Sequence, residues 1–271
     1  MTVSDTPAVA LTIAGSDSGG GAGIQADLVT FAALGVHGAS ALTALTAQNT
    51  VTVAAVHVPP VDFLRSQLDA VLDDLPVAAV KTGMLATEDV VQAVAGYAAA
   101  GRLPNLVVDP VLVSSTGARL LDPAAEAAYR DALFPHALVV TPNMREAATL
   151  LGTDVVTTAD ARDAARRIGD WGPAWVVVKA GHMVGDAACD VVFETATGTI
   201  DELCMPRVAT RNDHGTGCTF AAATAAGLAR GRSVPVALDD AKRFVHQGLA
   251  RSAGWRLGAG HGPVGKLGAW S

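Results

Sequence analysis

The chain is poor in positive charge, in aromatic side chains and in cysteine. Lysine and arginine number 19 against 26 acidic residues, and no lysine or arginine precedes Arg65. A nucleic-acid partner is not expected, because binding to a phosphate backbone needs a basic surface. The first residues lack the positive segment that opens a secretory signal peptide, and no apolar run approaches the length of a membrane span. We therefore expect a cytoplasmic protein with no membrane partner.

The cysteine content excludes further classes. Cys189, Cys204 and Cys218 are odd in number and lack the paired spacing of metal ligands. We expect neither a disulfide framework nor a structural zinc site. Aromatic residues make up only 4% of the chain although 50% is hydrophobic, so alanine, valine and leucine carry the apolar content. That composition suits a buried parallel sheet covered by closely packed helices.

Short β-branched runs alternate with longer helix-like segments along the chain. We predict strands at residues 9–14, 40–47, 78–81, 106–109, 137–141 and 175–179, with a late hairpin of 190–193 and 199–203. We predict helices at residues 25–34, 61–73, 87–100, 124–133, 145–151, 159–171, 219–230 and 236–253. This order predicts an α/β fold in a single domain, residues 1–271, with a doubly wound, mostly parallel sheet between two helical layers.

Polar residues stand at the carboxyl ends of five of the predicted strands. They are Ser16 with Asp17, Lys81, Asp109, Asn143 and Lys179. Open α/β sheets bind ligands at the carboxyl ends of their strands. We therefore predict a functional cleft along this edge of the sheet.

Residues 213–219 (Asp-His-Gly-Thr-Gly-Cys-Thr) form a glycine loop that enters a small-residue helix. Such a loop leaves backbone N–H groups unpaired at the positive end of the helix dipole, which favours an anion such as phosphate. The same field favours thiolate at Cys218, which would then accept a proton from a substrate hydroxyl. The alternative is that the loop and Cys218 only pack tightly.

Residues 14–27 form a glycine-rich turn that follows the first strand and opens a helix. A dinucleotide site is disfavoured, because no clean G-x-G-x-x-G spacing occurs and no acidic residue ends the second strand. The glycines would instead let backbone approach a flat substrate. Asp27 would accept a hydrogen bond from that substrate, or else complement the helix dipole.

Asn143 follows a predicted strand, and Glu146 comes three residues later. That spacing is close to a capping box at a helix start. Functionally, Glu146 would serve as an oxygen ligand, often through water, for Mg²⁺ on nucleotide phosphates. Lys179 at the next strand end would contact those phosphates as a point charge.

In this order the motifs resemble the hydroxymethylpyrimidine/phosphomethylpyrimidine kinases of thiamin biosynthesis. The resemblance is carried by residues 14–17, 20–27, 43–50, 81–85, 109–111, 141–143, 179–182 and 214–219. It implies a ribokinase-like three-layer α/β/α sandwich with a mostly parallel central sheet. It also implies phosphorylation of 4-amino-5-hydroxymethyl-2-methylpyrimidine by ATP with Mg²⁺, then of the resulting monophosphate in many members, and a homodimer.

The resemblance also implies a role for each candidate residue. The aminopyrimidine would be bound by Gln48, Asp27, Gly15, Met84 and Val111, and the amide of Gln48 suits a ring nitrogen beside an amine. Cys218 would take the hydroxymethyl proton, and charge on the moving phosphoryl group would be stabilised by Gly215, Thr216 and Gly217. ATP would be held by Lys179, Asn143 and Thr141, and Mg²⁺ by Glu146 and Asp109 through water.

Two positions depart from the family pattern. Ala180 stands where glycine is more usual, and residues 265–268 (Gly-Lys-Leu-Gly) replace the histidines that often follow residues 258–264. The sequence therefore assigns no role to this C-terminal tail.

Two alternative functions stay open. A pyridoxal or pyridoxine kinase can be built on the same framework, but those that resemble this family carry a second reactive cysteine after the Asp-Pro motif. Residues 113–118 contain no cysteine, which favours the pyrimidine. A non-catalytic binder of vitamin precursors would not need Cys218, Lys179 and Glu146 together.

Overall fold

The computed structural model describes residues 6–112, 123–181 and 185–266. The strands are β1 (Val9–Asp17), β2 (His37–Gln48), β3 (Val53–His57), β4 (Val77–Thr82), β5 (Leu106–Val108), β6 (Val139–Val140), β7 (Trp175–Val178), β8 (Ala187–Glu194) and β9 (Thr199–Pro206). The helices are α1 (Gly23–Ala33), α2 (Val61–Leu72), α3 (Glu88–Ala99), α4 (Pro123–Ala128), α5 (Met144–Leu151), α6 (Thr158–Gly169), α7 (Thr216–Ala229) and α8 (Val234–Ser252).

All the strands join one sheet in the order β3-β2-β1-β4-β5-β6-β7-β8-β9. Six neighbouring strands of the sheet run parallel, namely β2, β1, β4, β5, β6 and β7. Strands β3, β8 and β9 each pair antiparallel to a neighbour. The chain leaves β1 towards β2 and later returns to the other side of β1 with β4. The direction of winding therefore reverses at β1, which is where ligands of such sheets bind.

Two helical layers cover the sheet, and each closes its own apolar core. Helices α2 to α6 pack on one face, and α1, α7 and α8 pack on the other. Neighbouring residues of β1 separate accordingly, since Ala10 belongs to one core and Leu11 to the other. Strands buried on both faces are expected to be nearly continuous apolar runs, as β5, β6 and β7 are. The predicted α/β/α sandwich with a mostly parallel sheet is confirmed.

The local structure differs from the prediction in two places. The helix predicted at 124–133 ends as α4 at Ala128 and continues as a π-helical turn, Tyr129–Leu133, and a 3₁₀ turn, Phe134–His136. Strand β3 was not predicted, because four of its five residues are exposed and its apolar content is too short to signal a strand. Its pairing with β2 supplies the stability that its own sequence lacks.

The structure contains one disulfide, although no disulfide framework was expected. Cys189 and Cys204 are bonded to each other across the β8–β9 hairpin, where they are direct register partners. Their sequence separation of 15 residues carries no motif, so only the strand register brings them together. Cys218 is the free cysteine of the described chain.

Candidate active site

A cavity of about 460 Å³ opens at the carboxyl ends of the parallel strands. Its walls come from the ends of β1, β2 and β4, from the residues after β5, β6 and β7, and from the start of α7. The sequence-predicted residues that line it are Gly15, Gln48, Met84, Asp109, Val111, Asn143, Glu146, Lys179, Gly215, Thr216, Gly217 and Cys218. The predicted cleft therefore exists, although contacts with a ligand remain predictions.

Asp27 and Thr141 were predicted to touch ligands, but neither is among the residues that line this cavity. Both side chains are fully buried. Asp27 accepts hydrogen bonds from Thr12 Oγ1 at 2.6 Å and from Lys81 Nζ at 2.8 Å. Because α1 begins at Gly23, Asp27 also lies beyond the first helical turn. Asp27 therefore supports Lys81 from beneath the cavity in this structure.

Lys81 is a cavity residue to which the sequence reasoning gave no role. Burial opposes its charge, but Asp27, Cys218 and Asp109 outweigh burial and raise the pKa of Lys81 above its usual value. Its Nζ lies 2.8 Å from where a Cβ on Gly83 would stand, so glycine is needed beside it. Lys81 thus holds a fixed positive charge at the cavity wall. The available signal was a lysine at a predicted strand end together with an aspartate near the start of the first predicted helix.

Breaking the Lys81–Asp27 pair is expected to destabilise the fold. Asp27→Asn should lower the free energy of unfolding by about 3–5 kcal/mol, because it leaves a buried ammonium without its carboxylate. Denaturant unfolding measures the change. The matched control is Asp69→Asn, which breaks the solvent-exposed pair with Arg102 and should lower the free energy of unfolding much less. Equal effects of the two substitutions would contradict this account of Asp27.

Lys179 and Asp109 form the second ion pair of the cavity. Lys179 Nζ lies 2.6 Å from Asp109 Oδ1, and the same oxygen accepts a hydrogen bond from Thr141 Oγ1 at 3.1 Å. Burial opposes the charge of Lys179, but Asp109 and Glu146 outweigh it and raise the pKa of Lys179. Thr141 was predicted to hold ATP, but in this structure its hydroxyl donates to Asp109 and orients that carboxylate.

Glu146 completes this group of charges. The capping box predicted for α5 is confirmed, since Asn143 N donates to Glu146 Oε2 at 2.7 Å and Glu146 N donates to Asn143 Oδ1 at 2.9 Å. Burial raises the pKa of Glu146 to about 8; Asp109 adds to this, while Lys179 opposes it. A bound cation would supply the charge that keeps this carboxylate ionised at neutral pH.

The start of α7 forms the predicted anion loop, residues 215–218. Gly215 has a φ of +81°, and a Cβ there would lie 2.0 Å from the Gly21 carbonyl oxygen, so only glycine fits. Thr216 N donates to Asp213 O at 3.2 Å. Within the described part of the chain, no backbone carbonyl accepts from the N–H of Gly217 or Cys218. These two N–H groups would donate hydrogen bonds to an anion bound at the start of this helix.

The thiol of Cys218 faces the same cavity from the first turn of α7. Burial raises the pKa of Cys218 above its usual value; Lys81 is the strongest opposing influence, and Asp27 and Asp109 raise it further. The expectation of a lowered thiol pKa was therefore wrong for this structure. The helix dipole, which the sequence indicates, lowers the pKa of the thiol. The loss of water around the sulfur raises it, and that loss depends on the folded structure.

Asp17 and His214 form a network that the sequence reasoning missed. Asp17 Oδ2 lies 2.9 Å from His214 Nε2 and accepts backbone N–H groups of the glycine-rich turn, among them Ala22 at 2.9 Å. Despite burial, these contacts keep the pKa of Asp17 below its usual value. Gln48 Nε2 approaches His214 Nε2 at 3.4 Å. The turn after β1, the anion loop and Gln48 are therefore held in one polar cluster.

A second cavity of about 400 Å³ adjoins the first. The second cavity extends between β8, β9 and α8, and the residues that line both cavities are Asn143, Lys179, Asp213, Thr216 and Gly217. A Cβ on Gly217 would lie 3.0 Å from Lys179 Nζ, so glycine keeps the passage between the two open. Two cavities that meet at an anion loop suit the transfer of an anionic group between two molecules.

Known proteins match the chain over most of its length. A family model described as phosphomethylpyrimidine kinase matches residues 17–265. The hydroxymethylpyrimidine/phosphomethylpyrimidine kinase of Streptomyces coelicolor is 48% identical over 261 residues, which cover 96% of this chain and 94% of that protein.

Solved structures match as well. The pyridoxal kinase from Staphylococcus aureus in complex with AMP-PCP and pyridoxal has a TM-score of 0.87 and 37% identity, covering 96% of this chain and 94% of that one. Phosphomethylpyrimidine kinase from Clostridium difficile 630 has a TM-score of 0.77 and 35% identity, covering 88% of this chain and 98% of that one.

The fold, the anion loop and these matches define a ribokinase-like phosphotransferase. Within that class, the chain belongs to the phosphomethylpyrimidine kinase family. No helix of the described residues is long and apolar enough to cross a membrane.

Proposed function

We propose that this chain transfers the γ-phosphoryl group of ATP to the hydroxyl of 4-amino-5-hydroxymethyl-2-methylpyrimidine, and then phosphorylates the monophosphate. The observation that carries the proposal is that Cys218, the anion loop and Gln48 face one cavity. The printed names of the relatives support the choice of substrate.

The acceptor end of the cavity suits a small flat ring. Met84 belongs to a small apolar cluster with Ala44 and Ala86, and Val111 packs against it. A Cβ on Gly15 would lie 2.7 Å from Met84 Cε, so glycine keeps backbone and thioether close together. Gln48 presents one acceptor and one donor beside this apolar surface, which matches the ring nitrogen and amine of an aminopyrimidine.

The transfer step follows from the groups at the start of α7. The substrate hydroxyl oxygen bonds to the γ-phosphorus while Cys218 takes the hydroxyl proton, and the bond between γ-phosphorus and bridging oxygen breaks to release ADP. Lys81 stabilises the thiolate form that accepts the proton. The N–H groups of Gly217 and Cys218 stabilise charge on the phosphoryl oxygens.

The donor end suits nucleotide phosphates and a divalent cation. Lys179 would contact the phosphates, and Asn143 lies beside it in both cavities. Asp109 and Glu146 offer hard oxygen ligands, which Mg²⁺ prefers. Within the described chain, no hydrogen bond reaches Asp109 Oδ2, so that oxygen is open to a cation or its water. Bound there, Mg²⁺ would neutralise charge on the phosphates.

Three broader expectations belong to the same proposal. The chain acts in the cytoplasm as a single domain over residues 1–271, and it assembles as a homodimer. The resemblance to the family supports the dimer, and size-exclusion chromatography with light scattering measures it.

Selectivity at Gln48 tests the proposed substrate. Wild type should prefer the pyrimidine over pyridoxal by roughly ten- to a hundredfold in kcat/KM, because pyridoxal leaves a donor or acceptor of the amide unpaired. Gln48→Ala should remove most of that preference. The measurement is competition between the two alcohols in one reaction, with products separated by mass.

The matched control for Gln48→Ala is Gln92→Ala, which removes an exposed carboxamide from α3 and should leave the ratio unchanged. Wild-type preference for pyridoxal would favour the pyridoxal kinase function of the Staphylococcus aureus structure. An unchanged ratio in Gln48→Ala would remove Gln48 from substrate recognition. Residues 113–118, whose lack of cysteine favours the pyrimidine, lie outside the described residues.

A further inference from the structure

The C-terminal tail, residues 258–266, returns to the active site and pairs with the residue before the anion loop. His214 N donates to Gly262 O at 3.0 Å, and Val264 N donates to His214 O at 3.2 Å. Val264 is buried against α8, where a Cβ on Gly248 would lie 2.6 Å from its Cγ1. The tail is therefore a built part of the site.

Lys266 ends this tail with a buried ammonium group. Its side chain donates to Gly21 O at 3.0 Å and to Val264 O at 3.4 Å, and the residue is only 5% exposed. No carboxylate of the described residues lies within ion-pair distance of its Nζ. A buried ammonium held only by carbonyls is costly unless negative groups nearby offset the loss of water. Burial lowers the pKa of Lys266, while Cys218, Asp27 and Asp17 oppose that change.

The carbonyl that Lys266 binds also fixes the anion loop. The Gly21 oxygen is the atom that a Cβ on Gly215 would meet at 2.0 Å, so the two backbones are in direct contact. On its other side, Gly21 N donates to Asp17 Oδ2 at 3.1 Å, and Asp17 holds His214. Movement of the Gly21 carbonyl would therefore shift the start of α7.

We propose that Lys266 is a positioning residue for phosphoryl transfer: its ammonium fixes the Gly21 carbonyl against the anion loop and brings a positive charge to the start of α7, where Cys218 lies. The proposal rests on the proposed function for the reaction that it assists, but not for its effect on the thiol. The charged groups that act on Cys218 are Lys81 from β4, Asp27 from α1, Asp109 after β5, Lys179 after β7 and Lys266 from the tail. Lys266 is thus a third positive charge, in addition to Lys81 and Lys179.

The reactivity of the Cys218 thiol tests this role in the absence of ATP and pyrimidine. In Lys266→Met, alkylation of Cys218 by iodoacetamide at about pH 8 should be about tenfold slower, because the rate follows the thiolate fraction and one pKa unit is a factor of ten. Iodoacetamide is neutral, so the lost charge does not change its approach. Peptide mass spectrometry assigns the label to Cys218. The pH at which alkylation reaches half its maximal rate should be higher in Lys266→Met than in wild type. Lys266→Arg keeps the positive charge and should show the wild-type pH profile.

Arg251→Met is the matched control. It also removes a positive side chain that contacts the tail, since Arg251 Nη1 lies 3.5 Å from Gly265 O, but it leaves the contact between Lys266 and Gly21 in place. It should leave alkylation at the wild-type rate. A wild-type rate in Lys266→Met, or an equal slowing in Arg251→Met, would overturn the proposal. If Lys266→Met does not fold, Lys266→Gln keeps a donor for Gly21 without the charge, and a wild-type rate there would overturn it equally.

Turnover gives the second readout. Lys266→Met should lower kcat at least tenfold while the KM values for ATP and for the alcohol change less than about threefold, because Lys266 does not line the cavity. An unchanged kcat, or a change in KM alone, would contradict the positioning role. If the pyrimidine is not turned over by wild type, the proposed function fails, and the alkylation experiment still decides the effect of Lys266 on Cys218.

Discussion

Replacing Cys218 with alanine is expected to lower kcat by about 10²–10⁴-fold, the usual scale for loss of a general base. ATP binding should change little, because Lys179, Asn143 and the backbone of the anion loop remain. The thiol faces the cavity close enough to Lys81 for that ammonium to be the strongest influence that favours the thiolate. The measurement is single-turnover phosphorylation with ATP and pyrimidine both saturating.

The pH dependence of wild type provides an independent check of Cys218. A base must be deprotonated to act, and burial raises the pKa of this thiol. Activity limited by the chemical step should therefore rise with pH through the region above neutrality, and Cys218→Ala should lose that rise.

The Cys189→Ser, Cys204→Ser double variant is the matched control for loss of sulfur, and it should keep turnover near wild type. Near wild-type turnover in Cys218→Ala, with chemistry rate-limiting, would reduce Cys218 to a packing residue.

Replacing Lys179 with methionine is expected to lower kcat/KM for ATP by about 10²–10³-fold, as the loss of one preorganised donor to a transferring group does. Two effects add. The phosphates lose a point charge, and Asp109 is left as a buried carboxylate without its partner at 2.6 Å. The measurement is initial-rate kinetics with ATP varied.

Pyrimidine binding without ATP should be nearly unchanged in Lys179→Met, and calorimetry measures it. Glu146→Gln is the companion variant, and it should raise the Mg²⁺ concentration needed for half-maximal activity. If either variant loses the pyrimidine and keeps normal ATP and Mg²⁺ dependence, the donor and acceptor ends of the cavity are reversed.

The sequence predicted what depends on strand ends and helix starts. Parallel strands bring their carboxyl ends to one edge, so Asp109, Asn143 and Lys179 had to meet. The capping box of Asn143 and Glu146 follows from local chemistry, and the structure has it. Order along the chain was enough for these features, because the strand ends share one edge of the sheet and the helix cap depends on residues three positions apart.

What the sequence did not predict depends on side-chain depth and on distant partners. Asp27 has the residue type of a substrate ligand, but in the structure its carboxylate is buried and forms an ion pair with Lys81. The pKa of Cys218 depends on burial, which no motif encodes. The Cys189–Cys204 bond depends on strand register, and the role of Lys266 depends on a contact with Gly21 across 245 residues. Each of these required the assembled fold.

The most direct test of the proposed activity is mass detection of the products formed from ATP with the pyrimidine alcohol, its monophosphate and pyridoxal, each offered separately to the purified protein. The account predicts that the alcohol becomes the monophosphate, that the monophosphate becomes the diphosphate, and that pyridoxal is phosphorylated roughly ten- to a hundredfold less efficiently. Phosphorylation of pyridoxal alone, or of none of the three, would contradict it.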